Sequence, residues 1–201
     1  MSERYLVFTG RPNAGKSSLI RSITGIKTTS GKRPGTTRRI MFYSLNEGLT
    51  VADMPGYGRI TGVRKGIEDQ VKDQIIEFIE GEAERIALAV HVLDASTFQE
   101  ITERLDRKGF ISIDIEMTKL LFVNIGAPPL IAANKIDKTT GEGLDTSLES
   151  LVRELGEDVP LVVGENIFPV SARTGEGLGE LKNAIHERLV EKGYRTPFRL
   201  A

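Results

Sequence analysis

Short continuous apolar runs alternate along the chain with stretches of helical spacing. Tyr5–Thr9 is apolar and β-rich, as suits a strand buried on both faces. Leu19, Ile20 and Ile23 then recur at helical spacing, so a helix is expected to open near Lys16. Lys27–Thr37 is polar, holds Gly31, Pro34 and Gly35, and reads as a mobile loop. Arg39–Leu45 and Leu49–Ala52 are strand-like runs, and Asn46, Glu47 and Gly48 between them predict a hairpin.

Asp53–Lys65 is a second glycine-rich loop, followed by an amphipathic pattern over Ile67–Glu82 with Val71, Ile75, Phe78 and Ile79 on one face. Ile86–Leu93 reads as a buried strand and Thr97–Gly109 as helix and loop. The spacing of Ile113, Met117, Leu120 and Leu121 predicts a helix over Ile113–Ile125. A strand at Pro128–Asn134, a helix at Leu144–Leu155, a strand at Asn166–Val170 and a helix at Leu178–Lys192 complete the pattern. This alternation predicts an α/β fold, a mostly parallel sheet with helices on both faces and one antiparallel pairing at the hairpin. Ligands of such sheets bind at the carboxyl ends of the strands.

The length of 201 residues suits one domain over 1–201. With 27 basic and 28 acidic side chains, total charge argues neither for nor against a nucleic-acid partner. The chain has no cysteine, which excludes disulfides and thiolate metal sites. No signal peptide is recognisable after Met1–Arg4, and no apolar stretch approaches the ~20 residues a spanning helix needs. No membrane association is expected, and the cytoplasm is the expected location.

Chemistry enters with Gly10-Arg11-Pro12-Asn13-Ala14-Gly15-Lys16-Ser17, a full match to G-x-x-x-x-G-K-[ST], followed by Ser18. The glycines let the backbone curl so that successive N–H groups point at phosphate oxygens, and the helix that follows adds its positive end. Lys16 supplies a point charge for the β- and γ-phosphates, and the Ser17 hydroxyl is a hard oxygen ligand for Mg2+. Asp53-Met54-Pro55-Gly56 closes the second hairpin strand. Asp53 can hold magnesium through a water. The Gly56 N–H can donate to a γ-phosphate, and because hydrolysis removes that acceptor the bond can act as a switch. In the earlier loop, Gly35, Thr36, Thr37, Arg38 and Arg39 flank the same expected site, and a threonine hydroxyl there can reach the metal.

Asn134-Lys135-Ile136-Asp137 follows the strand before it. The Asp137 carboxylate can accept two N–H bonds from N1 and N2 of guanine. Adenine offers no such pair and would leave the carboxylate unpaired. Lys135 can lay its stem over the base, and Asn134 can tie neighbouring loops and the purine N7. Order strengthens these short signals: phosphate loop, threonine loop, D-x-P-G, N-K-x-D and Ser171-Ala172-Arg173 come in succession, each next to an expected strand. GTP and GDP are the ligands this order implies. A P-loop ATPase or small-molecule kinase is the competing reading.

Gly10–Ser18, the loop Pro34–Arg38 and Asp53-Met54-Pro55-Gly56-Tyr57-Gly58 together resemble the EngB branch of the Era-like GTPases, as does Asp114-Ile115-Glu116-Met117. The resemblance covers nearly the whole chain. It implies a three-layer P-loop NTPase fold of Ras type, and it favours Thr37 as the threonine on magnesium, through the pattern P-G-x-T-R. The backbone of Ser171, Ala172 and Arg173 would then contact guanine O6. Lys16, Thr37 and Gly56 become the residues expected at the reacting phosphate, with Ser17, Thr37 and Asp53 at the metal. Asn13 matches an asparagine that binds K+ in some relatives. The chain departs from the branch in carrying Asn134 where threonine is usual, and in the added segment Thr97–Phe110.

Tyr57 stands where Ras-type proteins carry a water-orienting glutamine, so slow intrinsic GTP hydrolysis is expected, roughly 10⁻⁴ to 10⁻² per second. Lys27, Lys32, Arg33, Arg38 and Arg39 in one loop, with Arg59, Arg64 and Lys65 in the other, can form a basic face for phosphate-rich RNA. The resemblance directs that face to the large ribosomal subunit and its RNA, in ribosome assembly, and to normal cell division and septation. The alternative is a nucleotide-gated module acting directly on a division protein. A monomer is expected. His91 and His186 are expected to be packing or surface residues.

Overall fold

The computed structural model describes residues 3–28, 39–46, 48–58, 65–156, 158–194 and 197–198. Gly35, Thr36, Thr37 and Arg38 lie outside the described residues, as do Lys32, Arg33, Arg59 and Arg64. Six strands form one sheet: β1 (Arg4–Gly10), β2 (Met41–Asn46), β3 (Leu49–Asp53), β4 (Ile86–Asp94), β5 (Leu130–Asn134) and β6 (Ile167–Val170). Their order is β2-β3-β1-β4-β5-β6. Only β2 with β3 is antiparallel among the strand pairs, and the hairpin expected at Asn46–Gly48 produces it.

Among the described residues six α-helices cover this sheet: α1 (Lys16–Thr24), α2 (Lys65–Gly81), α3 (Phe98–Asp106), α4 (Ile113–Ile125), α5 (Gly141–Leu155) and α6 (Leu178–Glu191). Alternate residues of the central strands point to opposite layers, as the two-residue period of a strand requires. Leu6, Phe8, Val90, Val92 and Ala132 meet Leu19, Ile20 and Ile23 of α1 and Leu181, Ile185 and Leu189 of α6. On the other face, Tyr5, Val7 and Ala89 meet Ile75 and Ile79 of α2 and Met117 and Leu121 of α4. Ile131 and Ala133 meet Leu151 and Leu155 of α5. With both faces covered, the central strands read as near-continuous apolar runs.

The elements agree with the periodicity, with shifts at their ends. α5 begins at Gly141, before the first apolar position at Leu144. Thr140 explains this: its hydroxyl accepts from the Gly143 N–H at 3.1 Å and starts the helix through two glycines. The strand expected from Pro128 begins only at Leu130, consistent with prolines having no N–H for a ladder. No helix among the described residues is long and apolar enough to cross a membrane.

β1 has β3 on one side and β4 on the other, so the chain leaves it in two directions. The carboxyl end of β1 is therefore the switch point of the sheet, the place where ligands of open α/β sheets bind.

Candidate nucleotide site

The loop Gly10–Gly15 leaves β1 at this switch point. Gly10 has φ 150° and Gly15 φ 94°. A β-carbon on Gly10 would meet the Val92 carbonyl of β4, and one on Gly15 would meet the Asn134 amide. Both positions therefore need glycine for close approach. Asn13 and Lys135 are the only non-glycine residues with positive φ among the described residues, at 66° and 70°. Both lie in the sequence motifs, and such conformations gather at functional sites.

Gly15 passes the chain into α1, and the first two helical residues carry the polar groups. The Lys16 ammonium pairs with the Asp53 carboxylate, and both residues are buried. The Ser17 hydroxyl donates to the other Asp53 oxygen at 3.4 Å. β3 ends at Asp53, and its parallel partner β1 brings Phe8 alongside, so the sheet register places Asp53 beside the loop. Burial is the main reason that Lys16 is held below its ordinary value of 10.5, and the charge and hydrogen bond of Asp53 oppose it.

Two hard oxygen groups, Ser17 Oγ and the Asp53 carboxylate, thus converge beside a buried cation. This donor set fits Mg2+ with its preference for oxygen ligands and retained waters. Met54 and Pro55 are buried, and Gly56 lies directly on Pro12 of the loop.

The base-reading candidates form the other half. Asn134, at the end of β5, donates from Nδ2 to the Ala14 carbonyl at 2.7 Å and accepts the Ala172 N–H at Oδ1, 2.9 Å away. One buried amide therefore joins the phosphate loop to the loop after β6. The left-handed turn at Lys135 leads into a 3-10 turn, Ile136–Lys138. Asp137 there accepts from Ser171 Oγ at 2.6 Å and from Arg173 Nε at 2.7 Å. The Ser171 hydroxyl, reinforced by Arg173, holds the Asp137 carboxyl below its ordinary value. Lys135 reaches Asp94 Oδ2 at 2.5 Å, and Asp94 is steadied by Ser96 Oγ at 2.6 Å.

The geometry divides into a phosphate-type cradle and a carboxylate with donors on each oxygen, tied together by Asn134. Residues 5–135 match the family model described as 50S ribosome-binding GTPase. A probable GTP-binding protein EngB from Methanopyrus kandleri is 42% identical over 192 residues, covering 94% of both chains. Another from Methanosarcina barkeri is 40% identical over 187 residues, 92% of this chain and 88% of that one. A crystal structure of a probable GTP-binding protein EngB superposes with a TM-score of 0.81 at 36% identity, over 93% of this chain and 99% of that one. The chain belongs to the EngB family of P-loop GTPases.

Most residues expected at the site by the EngB pattern are brought together: Gly10 to Ser17, Asp53 to Gly56, Asn134 to Asp137 and Ser171 to Arg173. Ser18 follows Ser17 in the first turn of α1, and its Oγ accepts from Arg21 at 3.3 Å. Lys27 and Arg39 are exposed. Asp94 is a site residue that motif reading passed over. It stands one position beyond an apolar run, and only the sheet sets it opposite Asn134. His91 is fully buried, and His186 lies against Phe198 with ring centroids 6.4 Å apart.

Proposed function

We propose that this EngB-family GTPase is a Mg2+-dependent switch with the large ribosomal subunit as its partner, acting in assembly of that subunit and needed for normal cell division. Residues 1–201 act as one GTPase domain in this reading. The observation that carries it is the Asn134 bridge, which joins the loop bearing Lys16 to the loop bearing Arg173 beside Asp137. A nucleotide laid across that bridge puts its phosphates over Lys16, Ser17 and the Gly10–Gly15 amides and its guanine at Asp137. Ser17 and Asp53 hold magnesium, Thr37 completes the set from its loop, and Gly56 meets the γ-phosphate. Lys135 and Arg173 leave their carboxylates when the base enters and flank it.

Asn13 sits at the turn of the phosphate loop with its side chain exposed, which suits it to bind K+ beside the nucleotide. The description of the matching family as 50S ribosome-binding supports the choice of partner, and the basic residues of the first loop supply charge for ribosomal RNA.

Binding of labelled GDP, GTP and ATP with and without Mg2+ tests the switch. Guanine nucleotides should bind and ATP should not, and equal binding of ATP would reject the reading. Co-sedimentation with 50S subunits under a non-hydrolysable GTP analogue, compared with GDP, tests the partner. Hydrolysis rates in potassium and sodium buffers with the subunit present test the role of Asn13, and equal rates would remove it.

A further inference from the structure

Beneath the candidate site lies a buried polar chain that none of the nucleotide motifs contains. Thr9 of β1 and His91 of β4 stand in register across the sheet. Their side chains meet, Thr9 Oγ1 to His91 Nδ1 at 2.9 Å, and His91 Nε2 lies 3.2 Å from Asp114 Oδ1. The carboxylate only accepts, so Nε2 carries a proton toward it. The Thr9 hydroxyl, which can donate or accept, partners the other ring nitrogen, Nδ1. Asp114 lies in the first turn of α4, and its other oxygen is 3.8 Å from Arg11 Nη1 of the phosphate loop. One aspartate thus touches both the sheet and the loop that cradles phosphates.

The start of the second loop packs against the phosphate loop and against α4, the helix whose first turn carries Asp114. Gly56 rests on Pro12, and Gly58 rests on Arg11 Nε and Ile113, where a β-carbon would stand 3.8 Å from each. Between them Tyr57 is 1% exposed, and its hydroxyl has no hydrogen-bond partner among the described residues. Burial raises the phenol well above its ordinary 10.0, with Asp114, Arg11 and Glu116 the charged groups that act on it. A buried donor therefore stands without an acceptor beside α4, whose first turn carries a carboxylate with lone-pair sites left over after His91 and Arg11. Leaving such a donor unpaired is costly, which favours a placement that brings the hydroxyl to an acceptor.

We propose that Asp114 is a positioning residue that reads the γ-phosphate through Tyr57, accepting the phenol proton when Gly56 engages the phosphate. The inference rests on the proposed contact of Gly56 with the triphosphate. Gly56 and Tyr57 are adjacent, so movement of one toward phosphate moves the other. The new bond then fastens the start of the second loop to α4. Lys72 of α2, the helix that follows the loop, reaches Glu116 of α4 at 3.4 Å in an exposed pair.

The test compares full-length wild type, Tyr57→Phe, Asp114→Asn and the double variant. Affinities for GDP and for a non-hydrolysable GTP analogue give a preference ratio, and tyrosine fluorescence is followed on adding each. The chain has no tryptophan and four tyrosines, so a phenol bonded to carboxylate shows as quenching. Wild type should favour the analogue and be quenched by it more than by GDP. Tyr57→Phe, which keeps the ring and the packing, should lower the ratio about tenfold, the worth of one hydrogen bond to a charged group. It should also abolish the extra quenching. Asp114→Asn should lose as much, and the double variant no more than either single one. An unchanged ratio or unchanged extra quenching in Tyr57→Phe overturns the inference, as does full additivity in the double variant. Failure of wild type to bind guanine nucleotides would instead remove the switch reading itself and this inference with it.

Discussion

Gly56 lies so close to Pro12 that a β-carbon on the glycine would stand 2.9 Å from both Cα and N of the proline. Backbone on backbone at this distance leaves nothing flexible to give way. The D-x-P-G glycine therefore has no room for a side chain where it faces the phosphate loop. Gly56→Ala should push the second loop outward and cost the preference for a GTP analogue over GDP, while GDP affinity changes less. Equilibrium binding of the two nucleotides measures this, and equal losses for both would show that Gly56 does not sense the third phosphate.

Asp137 should decide the base. Asp137→Asn replaces an acceptor with a donor facing guanine N1, so GTP affinity should fall about a hundredfold or more, the cost of a mismatched buried polar pair. Xanthosine triphosphate should recover it. Because the Ser171 hydroxyl, helped by Arg173, keeps the Asp137 carboxyl below its ordinary 3.8, the carboxylate form persists through the neutral range. Any loss of guanine preference through its protonation should be confined to acid, at a lower pH than for an ordinary aspartate. Competition binding with the two triphosphates checks the substitution, and unchanged GTP affinity would remove Asp137 from the site.

Asn134→Ala breaks the bridge between Ala14 and Ala172 and leaves a carbonyl and an N–H without their partner. The expected loss is about 2 kcal/mol of stability, as for two ordinary hydrogen bonds. Denaturant titration without nucleotide measures it. Nucleotide affinity should fall further than stability alone requires, because the two halves of the site are no longer held in step. Full GTP affinity in a destabilised variant would show that the bridge serves folding only.

Lys16 and Asp53 form a buried pair whose members depend on each other. Lys16→Met should destabilise the nucleotide-free protein by about 3 kcal/mol because it leaves Asp53 unpaired, and Asp53→Leu added to it should recover part of the loss. The pH dependence has a definite sign. Burial holds Lys16 below 10.5, so between its lowered value and 10.5 the unfolded chain binds more protons than the folded one. Stability from this group therefore rises with pH across that window. Phosphate charge restores the ammonium, so nucleotide binding in that window should take up a proton. Calorimetry in two buffers of different ionisation enthalpy detects it, and equal apparent enthalpies would count against contact between Lys16 and phosphate.

Local order alone was enough to read the elements of this chain and the family that its motifs mark. The two-residue and helical periods of its apolar residues marked the strands and helices, because one face or both must be buried for either to be stable. The phosphate loop, D-x-P-G and N-K-I-D could be read because each is a few consecutive residues whose function is carried by backbone shape and one or two side chains. The start of α5 at Gly141 was hidden, since a capping hydroxyl rather than an apolar face decides it. Meetings between distant parts of the chain were decided only by the tertiary fold. Asp94 meets Lys135 across 41 positions, Asn134 meets Ala14 across 120, and His91 stands between Thr9 and Asp114 across 82 and 23. Nothing in the spacing of these residues requires them to touch. They do so because strand order and register bring the ends of β1, β4 and β5 side by side whatever the length of chain between them.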